Sequence, residues 1–201
     1  DGMECCWPNI MENGGCLPTS LEEESKHRII DLVESAARAI GIQNGVAKGD
    51  VVICPKRGPM IIEMAARLSG GDFSESLVPL STGVNYVRTL IDIALGNSNI
   101  ELNKLIPKYN NGVANRYFFV KPGTLESVRG IEKIKNIQQV KKFILFYNVG
   151  DKLPEIKSHA DRTGVFVVKD KNRADVQEKV DQIYDFMEFK IDGQWVKGKM
   201  L

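Results

Sequence analysis

A chain of 201 residues, 43% hydrophobic and 26% charged, is long enough to bury a core as one large domain or two small ones. Its 27 basic and 26 acidic residues leave a net charge of +1, which argues against nucleic acid or an anionic membrane as partner. No apolar run approaches the roughly 18 residues of a membrane span and no signal-peptide pattern is present, so the expectation is a cytoplasmic protein.

Residues 1–18 are rich in Gly, Pro, Asn and Cys without periodicity, and read as a loop or as a strand severed from its sheet. The opening Asp1-Gly2-Met3 suggests a tag remnant or a piece of a longer polypeptide. Cys5, Cys6, Cys16 and Cys54 lack zinc-knuckle spacing, and His27 and His159 stand far from any cysteine pair, so reduced structural thiols are expected. Ser20 with Glu23 makes a capping box. Ile29, Ile30, Val33, Ala36, Ala37 and Ile40 then recur at helical spacing, which predicts a helix over 21–40 that stops at Gly41.

The stretch VAKGDVVICPKRGPMIIEMAAR has two apolar runs flanking Pro55-Lys56-Arg57-Gly58 and predicts a β-hairpin with a four-residue loop. Counting back from that loop pairs Val52 with Ile61 and Asp50 with Glu63. Two carboxylates on one face of neighbouring strands would have Cβ atoms roughly 4.5–5.5 Å apart and repel. A divalent cation between them removes the conflict, and Mg²⁺ takes one or two carboxylates with water and phosphate. The alternative is that Glu63 pairs with Arg67 or Arg57, and that Asp50 merely opens a strand. Arg67, four residues after Glu63, could stabilise charge on a phosphoryl group or a bound carboxylate.

After Gly70-Gly71 comes a loop containing Pro79, then an expected helix over 82–95 with Val84, Val87, Ile91, Ala94 and Leu95 as its stripe and Gly96 as its stop. A polar break over 96–113 suggests a boundary between subdomains 1–100 and 101–201. Beyond it strands are expected at 116–120, 124–128, 143–147, 153–157 and 164–168, with a helical turn near 131–137 and a closing helix over 173–188. Lys alternating with Asp and Glu over the last 40 residues reads as a solvated helix face. The class is α+β. No P-loop, Rossmann fingerprint or Gly-x-Ser-x-Gly elbow is written in the chain.

Three stretches in order, AIGIQNGVAKGDVVI, GPMIIEMAARLSGG and VPLSTGVNYVRTLIDIALG, resemble the C-terminal half of an ATP-grasp domain, as in the carbamoyl-phosphate synthetase large chain, biotin carboxylase and the amino-acid ligases. ANRYFFVKPGTLESVRGIE, GDKLPEI and DRTGVFVVKDKNRADVQEKVDQI resemble the small α+β subdomain that biotin-carboxylase-like members carry next. The resemblance implies an antiparallel sheet with packing helices for 1–100, and this subdomain for 101–201. It implies ATP and Mg²⁺ as ligands, Mn²⁺ being a substitute, with Asp50 and Glu63 on the metal, Val52 and Ile62 over the adenine, and Arg67 facing an acyl-phosphate or acceptor. Ala65 stands where many members place an asparagine ligand, and Lys48 where many have histidine.

A small carboxylate and an amine or ammonia would be the other substrates of such a ligase, and a homodimer is compatible with the family. The family's other grasp lobe, which clamps the phosphates, has no counterpart in these residues, so the chain is expected to be the C-terminal part of a larger polypeptide. The rival expectations are a non-catalytic nucleotide-binding or assembly module derived from the same fold, and a free-standing α+β domain.

Overall fold

The structure, a computed structural model, describes residues 2–6, 11–97 and 101–199, with the backbone alone at 2–6 and 102. The chain forms two compact units: Asp1–Pro18 with Leu80–Thr82 and Tyr109–Leu201, and Thr19–Pro79 with Gly83–Lys108.

The first unit holds two antiparallel sheets. Strands β1 (Gly2–Cys6), β2 (Met11–Leu17), β5 (Gly112–Phe118), β7 (Val140–Leu145) and β9 (Gly164–Asp170) form a sheet of order β1-β2-β5-β9-β7. Strands β6 (Gly123–Arg129), β8 (Lys152–Leu153), β10 (Glu188–Ile191) and β11 (Gln194–Lys197) form the other, of order β11-β10-β6-β8. Helix α5 (Arg173–Phe186) turns Val176, Val180, Ile183 and Tyr184 inward at helical spacing, and α4 (Ile131–Lys135) contributes Ile134. Both faces of β5 are buried: Ala114 and Phe118 join the main core, while Tyr117 packs with Met11, Phe119 and Val165.

Phe118 is the hub of an aromatic cluster. Its ring centroid lies 5.1 Å from that of Phe166, 5.3 Å from Phe189 and 5.9 Å, edge-on, from Tyr184. Nearby, burial pushes the Arg162 guanidinium below its usual range, yet it stacks over the Tyr117 ring at 3.7 Å and donates to the Glu12 carbonyl.

Residues 1–18 therefore group with the C-terminal unit and not with the segment that follows them. The reason is main-chain pairing, since Cys16 and Leu17 oppose Ala114 and Val113, and Arg173 donates to the carbonyls of Cys16 and Pro18. The β10–β11 hairpin was not expected. Its turn is Asp192-Gly193, a dipeptide suited to two residues with positive φ, and both have it. Strand β8 is only two residues long, shorter than the expected 153–157.

In the second unit, α1 (Glu23–Ala39) starts later than expected, with Glu22 at the N-cap and no side-chain cap, so the Ser20 capping box does not form. The segment expected as a loop before residue 82 is largely helical, with a π-helical turn at Phe73–Leu77 and α2 (Val78–Thr82), whose residues Leu80–Thr82 are counted with the first unit. Helix α3 (Tyr86–Ala94) then begins behind Asn85, whose side chain accepts from the Arg88 amide. Neither α1 nor α3 buries a side chain fully; Leu77, Val78 and Val84 are the buried apolar residues described in this unit.

Strands β3 (Lys48–Cys54) and β4 (Gly58–Ala65) form an antiparallel hairpin. The loop has three residues rather than four, because Cys54 opposes Gly58, whose φ of 76° makes the left-handed step that such a turn needs. That shorter loop pairs Val52 with Met60, not with Ile61 as expected. One residue further along, Ile62 is an extra residue on β4, a bulge that moves the register so that Asp50 opposes Glu63 after all.

Candidate functional site

The two faces of the hairpin differ. A Cβ at Gly49 would lie 3.0 Å from Val33 Cγ2 on α1 and from Met64 Sδ, so the helix lies against the Gly49–Met64 face. Side chains alternate along a strand, which puts Lys48 and Asp50 on the other face, with Glu63 opposite Asp50 and Ala65 opposite Lys48. Among the described residues β3 and β4 pair only with each other.

On this face Lys48 Nζ lies 2.5 Å from Asp50 Oδ2, with side chains 22% and 25% exposed, while Glu63 is exposed. The expected alternative, an ion pair between Glu63 and Arg67 or Arg57, does not form among the described residues. Arg67 lies beyond the end of β4, is exposed, and donates from Nη1 to the Leu68 carbonyl at 3.0 Å. Val52, two residues from Asp50, is 45% exposed, and Ile62 at the bulge is 70% exposed. The structure thus brings Asp50 and Glu63 together with apolar surface beside them, and leaves Arg67 outside that pair.

The donor set suits a hard cation. Two carboxylates from adjacent strands offer oxygens on one face, although Lys48 already supplies Asp50 with a positive charge. No group of three or more His, Cys, Asp or Glu side chains positioned for a metal occurs among the described residues, so these two would hold an ion together with water or ligand oxygens. The Lys48–Asp50 ion pair was not anticipated. Its signal was Lys-x-Asp at strand spacing, which places both groups on one face.

At the turn, the Cys54 thiol is held below its usual pKa by the main-chain N–H groups of Arg57 and then Lys56. Cys54 is partly exposed, whereas Cys16 is buried. His27 is exposed on α1, with Nδ1 against the Glu23 carbonyl, and His159 Nε2 accepts weakly from the Glu12 amide at 3.4 Å; neither joins the acid pair. No helix among the described residues is long and apolar enough to cross a membrane.

Residues 116–192 match the model of the L-amino acid ligase C-terminal domain 2. The chain is 25% identical over 91 residues to the alanine–anticapsin ligase of Bacillus subtilis, which covers 45% of this chain and 19% of that one. Among solved structures, an L-amino acid ligase from Bacillus licheniformis superposes with a TM-score of 0.77 and 24% identity, over 89% of this chain and 44% of that one. Phosphoribosylglycinamide synthetase from Anaerococcus prevotii gives 0.81 and 18%, over 95% and 48%. A biotin carboxylase domain from Hydrogenobacter thermophilus, in complex with MgADP and bicarbonate, gives 0.64 and 16%, over 94% and 40%. The chain therefore spans less than half the length of each of these proteins. Its α+β fold is that of the C-terminal portions of these solved structures.

Proposed function

We propose that this chain is the metal- and nucleotide-holding portion of an ATP-dependent ligase that joins a carboxylate to an amine or ammonia, or makes a carbamoyl-phosphate-like product, through an acyl-phosphate. The observation that carries this reading is the pairing of Asp50 with Glu63 across the β3–β4 hairpin. The ATP-grasp fold and the ligase relatives support it.

Asp50 and Glu63 would hold Mg²⁺, or Mn²⁺ in its place, and the ion would neutralise phosphate oxygens of ATP. Val52 and Ile62 offer the exposed apolar surface that an adenine ring would cover. Arg67, whose one described hydrogen bond is to a main-chain carbonyl, can leave it at small cost to meet an acyl-phosphate or a substrate carboxylate. The remaining phosphate contacts would come from the part of the relatives that this chain does not span. A two-copy assembly fits the same reading.

A non-catalytic module derived from the same fold is the second reading. It is favoured by Ala65, which opposes Lys48 on the face of the acid pair and offers no oxygen to a metal. Phosphate release by the intact protein, screened with Mg-ATP across carboxylate and amine pairs, separates the two. The ligase reading expects turnover that falls at least about a hundredfold in Glu63→Ala, the size of loss typical when a charge-stabilising group is removed. Equal rates in both proteins remove it.

A further inference from the structure

Lys48 stands apart from the roles assigned so far. Its ammonium lies 2.5 Å from Asp50, both side chains are about three-quarters buried, and the residue directly opposite is Ala65, which carries no polar group to compete for the ammonium. The neighbouring carboxylate of Glu63 faces the same Asp50. Two like charges at cross-strand distance destabilise a hairpin, and a fixed cation beside them offsets that repulsion.

We propose that Lys48 is a resident counter-ion of the acid pair, which competes with a divalent cation for Asp50 and so sets how tightly the metal is held. This rests on the reading of Asp50 and Glu63 as metal ligands. An ammonium on Asp50 Oδ2 takes up part of the carboxylate's acceptor capacity and repels a metal ion bound to the same carboxylate. A divalent ion must therefore displace Lys48 or bind against its charge. Either way the site holds a free ion more weakly than the two carboxylates alone would, and Lys48 acts as a positioning residue that tunes affinity without itself being a ligand.

Titration of the intact protein with Mn²⁺, followed by the loss of the free-ion paramagnetic resonance signal, tests this in wild type, Lys48→Met, Lys48→Arg and Glu63→Gln. Removing the charge in Lys48→Met is expected to tighten Mn²⁺ binding roughly three- to fivefold, the equilibrium equivalent of a partly exposed ion pair at the upper end of its range. Lys48→Arg keeps the charge and is expected to stay near wild type. Unchanged or weaker binding in Lys48→Met, with Glu63→Gln still weakening it, overturns the counter-ion role and leaves the metal site standing. Binding that ignores Glu63→Gln overturns the metal site itself and the inference with it.

Discussion

Asp50 and Glu63 oppose each other because Ile62 is one residue more than a regular ladder would accommodate. The Cys54–Gly58 closure alone, carried back along both strands, would set Asp50 against Ile62 and turn Glu63 toward the helix-covered face. Deleting Ile62 would extend the Val51–Ile61 register straight into the Asp50–Glu63 pair and remove the bulge. Mn²⁺ binding is then expected to stay within about twofold of wild type, since the pair survives, while ATP affinity falls because the most exposed apolar side chain beside the pair is gone. A loss of Mn²⁺ binding in this deletion would mean that the bulge shapes the site directly.

Much of this was legible because the hairpin is local. Pattern and turn residues within about twenty positions specify it, and an error of one residue in the loop was cancelled by a bulge that no alternation pattern reveals. The N-terminal strand was harder. The partners of Cys16 and Leu17 lie almost a hundred residues away at Ala114 and Val113, and only the fold brings them together. Asp192-Gly193 carries a hairpin signal in its residue types, although the alternation of Lys with Asp and Glu around it resembles a solvated helix face. The Lys48–Asp50 contact depends on side-chain reach across one strand face, which spacing permits but does not dictate.

Phe118 should dominate the stability of the C-terminal unit. It is fully buried and meets Phe166, Phe189, Tyr184 and Phe143. Phe118→Ala is expected to cost about 3–5 kcal/mol, the range for truncating a buried Phe, and Phe118→Leu distinctly less because it leaves a smaller cavity. Denaturant unfolding followed by tryptophan fluorescence reads the difference, since Trp195 lies in the same unit under the Arg129 guanidinium. Equal costs for the two variants would show that the stabilisation comes from ring contacts that leucine cannot supply and not from filled volume.

The turn at 157–161 should carry an acid-dependent share of stability. The Asp161 carboxylate accepts from the Lys157 and Ser158 amides and the Ser158 hydroxyl, which hold its pKa below the ordinary carboxylate value. A depressed carboxylate contributes stability that is present above its unfolded-state pKa and lost as pH falls through the lower folded value. Asp161→Asn should therefore be less stable than wild type at neutral pH, and the gap should close in acid below the ordinary carboxylate range. Unfolding midpoints of both proteins across that range check the sign, and a gap that is constant with pH would contradict it.

Cys54 and Cys16 should differ sharply in reactivity. The thiolate is the nucleophile, and the Arg57 and Lys56 amides at the turn stabilise it at Cys54, so more of this thiol is ionised at a given pH than of an unperturbed cysteine. Cys16 is shielded inside the sheet packing. Iodoacetamide at mildly alkaline pH, with modification of each peptide followed by mass spectrometry, is expected to label Cys54 well before Cys16. The Cys54 rate should also level off at a lower pH than that of a free thiol, because its ionisation is complete sooner. Replacing Gly58 by alanine strains the positive φ that closes the turn, and should shift that plateau back toward the free-thiol pH by disturbing the amides. A Cys54 rate that tracks a free thiol at every pH would show that the turn amides do not reach the sulfur in solution.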